Sequence, residues 1–310
     1  MRRSGSDYPP HVTWAPVIGS LLLRPERAPL AAEERALLAD VIATPDADGP
    51  RLVYADWLQH GAERDAARGE LIAVQCALAN IADPVEHNRL KARDFELVER
   101  HGNRWCAEVG IGEVRNNWHR HAWAADFERG FITTVQMPAA AFPSVVTRLF
   151  AVEPIRGVVL VGWHGDRLRR MHESIYLRRL RSLTVRESYL GDDVLAPLLR
   201  SPMIAGIDRF AIEGQTIHPD TLAALGDARL RELSLATTNL GLDQLLALLG
   251  SPVARDLEVL VLDHNPFGDA GAMALLRCPA KLRRLSLAGV AIQPATHEQL
   301  VERFGAALEL

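Results

Sequence analysis

Leu257-Glu258-Val259-Leu260-Val261-Leu262-Asp263-His264-Asn265-Pro266-Phe267-Gly268-Asp269 decides how this chain is read. Its apolar frame, Leu-x-x-Leu-x-Leu, describes a short strand with one buried side. An apolar residue follows five positions later, and Gly-Asp then opens a helical stretch. The frame recurs as Leu180-x-x-Leu183-x-Val185, Ile207-x-x-Phe210-x-Ile212, Leu230-x-x-Leu233-x-Leu235 and Leu282-x-x-Leu285-x-Leu287. Weaker copies precede them at Ile132-x-x-Val135-x-Met137 and Ile155-x-x-Val158-x-Leu160. Positions 135, 158, 183, 210, 233, 260 and 285 are separated by 23 to 27 residues. Self-similarity at such a period signals stacked units of strand, tight turn and helix.

This pattern resembles the leucine-rich repeat family, of the helix-bearing subtype typified by ribonuclease inhibitor, over roughly residues 130 to 310. The resemblance implies an α/β solenoid with a concave parallel sheet and convex helices. Parallel strands stack about 4.8 Å apart whereas packed helices need about 8 to 10 Å, so such a stack curves with its strands inside. The family's buried asparagine position is filled here by Trp163, Ser188, Gln215, Thr238, Asn265 and Val290. With one asparagine kept, looser turns and some irregular coils are expected.

The region before the repeats has a different character. All six tryptophans lie within the first 163 residues. Residues 1–32, with several prolines and no sustained period, read as a mobile N-terminal arm. Residues 33–110 read as a small helical domain. Leu37, Leu38, Val41 and Ile42 give its first apolar face, ended by Pro45. Asp48 and Pro50 suggest a cap and a first-turn proline before a face of Leu52, Val53, Trp57 and Leu58. Leu71, Val74, Leu78 and Ile81 form a third segment, and Asn88 to Val109 a fourth helix. Arg51-Leu52-Val53-Tyr54-Ala55-Asp56-Trp57-Leu58, together with Arg68-Gly69-Glu70-Leu71-Ile72, closely resembles the bacterial repeat-companion domain, a module found ahead of leucine-rich and other repeats. That family brings no established activity with it. Asp56 is expected to partner Arg51 or Arg68, and Trp57 to anchor the core or a domain interface. Residues 111–154 carry a hairpin turning at Arg129-Gly130 and a first repeat, and the solenoid spans 155–310.

Charge and motifs narrow the function. The net charge is −4 with no positive excess in either half, which argues against nucleic-acid or anionic-membrane partners. Cys76, Cys106 and Cys278 fit neither a disulfide framework nor a zinc site and read as thiols of a reducing, cytoplasmic compartment. No apolar run approaches the ~20 residues of a membrane span. Asp46-x-Asp48-Gly49 lacks the later ligands of a calcium loop, and no nucleophile elbow, P-loop or zincin helix occurs. The expectation is a non-enzymatic scaffold or adaptor, without cofactor or metal, gripping a protein partner on the concave strand face. Alternation turns Thr184, Arg186, Glu187, Arg209, Glu213, Glu232, Ser234, Asp263, His264 and Arg284 toward solvent as its contact residues, along with Ser182, Ala211, Ala236, Val259, Val261, Ser286 and Ala288. An alternative is a regulator of a partner enzyme, an inhibitor or a GTPase-activating protein presenting Arg186 or Arg284. A weaker one is a metal-dependent enzyme using His119 and His121, with Asp126 and His101 nearby.

Overall fold

The computed structural model describes residues 30–61, 64–111, 123–162, 168–188 and 190–310. The N-terminal arm, but for its last residues, together with Trp118, His119, His121 and Trp163, lies outside them. The chain is α/β. Four helices come first: α1 (Ala32–Ala43), α2 (Asp48–Gln59), α3 (Ala66–Asn80) and α4 (Pro84–Glu108). A hairpin of β1 (Ala124–Glu128) and β2 (Phe131–Pro138) and helix α5 (Phe142–Val152) follow. Strands and helices then alternate: β3 (Gly157–Val161), β4 (Ser182–Arg186), α6 (Asp192–Leu199), β5 (Arg209–Glu213), α7 (Pro219–Gly226), β6 (Glu232–Ser234), α8 (Leu242–Gly250), β7 (Val259–Val261), α9 (Gly268–Leu275), β8 (Arg284–Ser286), α10 (Pro294–Phe304) and β9 (Leu308–Glu309).

All nine strands form one sheet in sequence order; β1 and β2 are antiparallel and every later pair is parallel. The register is that of the apolar frame. Val135 pairs with Val158, Val158 with Leu183, Leu183 with Phe210, Phe210 with Leu233, Leu233 with Leu260 and Leu260 with Leu285. Leu308 adds an eighth member that the frame search misses, because Gly305 stands where its first apolar residue should be. The side chains from Val135 to Leu285 in this column are buried in one continuous apolar cluster with Leu190, Ile217, Leu240 and Phe267. Between β3 and β4 the expected irregular coil is present: two short 3-10 helices, Met171–Glu173 and Ile175–Arg179, stand there among the described residues.

Two features close each unit after its strand. The residue four positions beyond the column has a left-handed backbone in six consecutive copies: Gly162, Glu187, Gly214, Thr237, His264 and Gly289, with φ between 47° and 71°. There the amides of Glu187, Gly214, Thr237 and His264 donate to the next unit's Glu213, Ala236, Asp263 and Ala288 carbonyls, at 2.7 to 3.1 Å. The second feature corrects the expectation of loose turns. Asn265 Nδ2 donates to the Leu235 carbonyl of the preceding unit at 2.7 Å. Ser188 Oγ reaches the equivalent Leu160 carbonyl at 2.9 Å, and Gln215 Nε2 reaches the Leu190 carbonyl at 3.1 Å. Different side chains thus satisfy buried carbonyls that would otherwise be left without a donor.

The helices before the hairpin require three corrections. Asp48 is the first residue of α2 rather than its cap, and its carboxylate serves Asn80 and Arg129. Leu52 and Val53 are 45% and 58% exposed; the buried face of α2 is Arg51, Tyr54, Ala55 and Leu58. Asp56 pairs with His60 at the surface instead of with either arginine. Arg51 is only 2% exposed because it holds the hairpin turn: it donates to the Arg129 carbonyl at 3.3 Å and the Pro45 carbonyl at 2.6 Å, its guanidinium over the Phe131 ring. Trp57 is half-buried, stacked between Tyr54 and the guanidinium of Arg64.

A buried ion pair ties α3 to the sheet. Arg68 donates to both carboxylate oxygens of Glu153, at 3.0 and 3.1 Å, and the Ile132 amide donates to the same carboxylate at 2.7 Å. Trp105, Phe127 and Phe131 surround the guanidinium at 5.1 to 5.4 Å. At the turn, Gly130 has φ 78° and its amide donates to Gln75 Oε1; a Cβ there would lie 2.6 Å from the Ile72 Cα.

Two substitutions test these backbone constraints by denaturant unfolding. Gly130→Ala, which combines left-handed strain with a clash against backbone, is expected to cost about 3 kcal/mol. Thr237→Gly, which relieves a β-branched residue of a left-handed conformation, is expected to add about 1 kcal/mol.

Candidate functional site

Strand register converts the alternating pattern into a surface with rows. Side chains of the column point inward, and their neighbours form three rows crossing the strands on the opposite face. The first row is Ser182, Arg209, Glu232, Val259 and Arg284; the second is Thr184, Ala211, Ser234, Val261 and Ser286. Arg186 and Glu213 pair in the third row, which Asp263 continues by sequence position. Small residues thus lie between two polar walls, and a cavity of about 450 Å³ opens over Ala211, Ser234 and Val261. All ten residues expected as contacts lie on this face or at its rim.

Their surroundings divide them. Arg186 Nε donates to Glu213 at 2.8 Å and its guanidinium to Gln136 Oε1 at 3.4 Å. Arg284 donates to both oxygens of Glu309, at 2.7 to 2.9 Å, and Glu232 is bonded to Arg283. Asp263 accepts from Ser286 Oγ at 2.7 Å and from the Ala288 amide at 2.9 Å, bridging two strands. Val259 and Ser286, expected at the surface, are buried at 7% and 3% exposure. Glu187 and His264 occupy the left-handed turn position, so their placement answers first to the turn. Thr184 and Ser234 are half-buried on the cavity floor, and Arg209 is exposed at its wall, 3.7 Å from Asp208. The two arginines considered for presentation to a partner enzyme are therefore both held in ion pairs within the sheet.

A second cavity, of about 340 Å³, lies between the first helices and the hairpin. Its ionisable walls are mutually satisfied: Arg68 with Glu153, Arg104 and Trp105 Nε1 with Asp65, and Tyr54 with Glu34. That arrangement ties the first helices to one another and to the hairpin. Among the described residues no group of three His, Cys, Asp or Glu could hold a metal ion. His119 and His121 lie outside those residues. None of the described helices is long and apolar enough to cross a membrane.

A scan against protein-family models and a search of curated proteins give no match to the chain.

The three cysteines are free and buried. Burial, reinforced by Asp48, pushes the Cys76 thiol up to about 11; burial, reinforced by Glu153, pushes Cys106 up to about 12; burial also raises Cys278. Thiolate is therefore scarce near neutrality. Aromatic disulfide reagents at pH 8 are expected to label none of the three in the folded chain and all of them in denaturant. A thiol with a raised folded value leaves stability untouched below its ordinary value of 9.0. As pH climbs from there toward 11, unfolding free energy should fall, because the unfolded chain loses its thiol protons first.

Proposed function

We propose that the chain is a non-catalytic protein-binding scaffold. It is a leucine-rich-repeat solenoid preceded by a helical unit of the repeat-companion kind, acting in the cytoplasm of a bacterium and holding a protein partner on its strand face. Sequential parallel strands in one frame, with β3 to β8 each followed by the same left-handed turn, support the repeat reading. Arg51 and Tyr54 on the hairpin and Arg68 on Glu153 give the companion-like motif a structural task, covering the first strands of the stack. Three thiols without a disulfide suit a reducing compartment.

The observation that carries the binding reading is the open row Thr184, Ala211, Ser234 and Val261 between polar walls. On a stack that curves toward its strands, this row is the floor of a concave trough. Such a surface is preformed, which limits the ordering cost of association. The mixed charges of its walls suit selectivity among protein partners.

A photo-crosslinking residue placed at Ala211 in the native host should yield one discrete protein adduct, and the companion change Ser234→Arg should abolish it. The same residue at Met273, exposed on α9, should yield none. Equal adducts at both positions, or none at either, would remove the strand face as the binding surface.

A further inference from the structure

Because β2 to β9 run parallel, every segment that enters a strand lies along one edge of the sheet and every segment that leaves lies along the other. Sorted this way, the charges separate. On the entering edge Arg231 pairs with Glu258 at 2.8 Å and Arg283 with Glu232, so these cancel. Beyond them stand Arg200, Arg209, Arg229, Arg255, Arg277 and Lys281, all exposed, against Asp208, Asp227 and Asp256. Of the six cations, only Arg209 has an ion-pair partner among the described residues, its neighbour Asp208. The leaving edge carries the opposite sign in Glu187, Asp193, Asp220, Asp243, Asp263 and Asp269.

Helix ends explain the acidic edge. Asp193, Asp220, Asp243 and Asp269 sit in the first turns of α6 to α9, where the macrodipole favours a carboxylate. The basic edge has no such complete account. Arg200 and Arg277 lie at helix ends, but Arg209, Arg229, Arg255 and Lys281 lie past the last α-helical turn, beyond the reach of that effect.

We propose that the entering edge is a docking surface for an acidic segment of a protein partner. Guanidinium forks match carboxylates two oxygens at a time, and these cations are offered unit by unit along the stack. A nucleic acid fits less well. Its closely spaced phosphates could not avoid Asp208, Asp227 and Asp256, and no exposed aromatic ring stands on this edge among the described residues to stack a base. Apart from Arg209, which also stands at the wall of the cavity over Ala211, these cations lie outside that cavity, so either surface can fail without the other.

The test uses the full chain and a fluorescent polyglutamate peptide, followed by anisotropy, with random-sequence duplex DNA and phosphatidylserine vesicles measured in parallel. Peptide binding should weaken about tenfold between about 50 and 200 mM salt. It should fall a further tenfold or so in Arg229→Glu/Arg255→Glu/Arg277→Glu, and less steeply in the corresponding triple glutamine variant. Met273→Ser, exposed on α9 away from both surfaces, should leave it unchanged. Circular dichroism and melting temperature establish that each variant is folded. Absence of peptide binding at low salt, undiminished binding by the folded charge-reversed variant, or tighter binding of DNA or vesicles than of peptide would each overturn the proposal.

Discussion

Val135, Val158, Leu183, Phe210, Leu233, Leu260 and Leu285 stand opposite one another on consecutive strands and face the same apolar interior. A slip of one residue on any strand would turn its apolar set to water, so this column fixes the register of the whole sheet. From the register follow the surface rows, the neighbours that Arg186, Asp263 and Arg284 find, and the sorting of loops onto two edges. The buried Ser188, Gln215 and Asn265 then find backbone carbonyls of the preceding unit, while Thr238 donates to the Leu235 carbonyl of its own unit and to Asn265 Oδ1 of the next.

The start of the sheet is held by polar groups that apolar surroundings make expensive to separate. Arg68 and Glu153 are 85 residues apart in sequence and almost fully buried. Removing either partner of such a pair leaves an uncompensated charge that costs about 3 to 5 kcal/mol. Glu153 also accepts the Ile132 amide, and its own carbonyl accepts from Arg179. One residue thereby links a helix before the hairpin, the first parallel strand and the coil preceding β4. Arg51 does comparable work at the Arg129-Gly130 turn.

The frame, the hairpin and the helical start at Gly268 could be read from residue spacing, because each is a local pattern whose cause is local. The face of α2 could not. Apolar periodicity selects Leu52 and Val53, whereas the helix turns the aliphatic stem of Arg51 inward, and a buried arginine is recognisable only from its distant acceptors. Three left-handed positions are marked by Gly162, Gly214 and Gly289; Glu187, Thr237 and His264 hide the same conformation behind residues that ordinarily avoid it. Alternation assigns Arg186 and Arg284 to the outer side of their strands, but whether an arginine is free or paired depends on Glu213 and Glu309 in neighbouring units. The polarity of the two edges is invisible when charges are counted by halves of the chain, since both signs alternate within every unit.

The turns after β3 to β8 repeat the same geometry four residues beyond the column, while successive units differ in length by up to four residues. The surplus must accordingly be absorbed where the chain travels from helix back to strand, as the short 3-10 segments Pro202–Ile204 and Pro252–Arg255 illustrate. That stretch is where evolution can lengthen or shorten a coil, or graft in a new loop, without disturbing how successive coils nest.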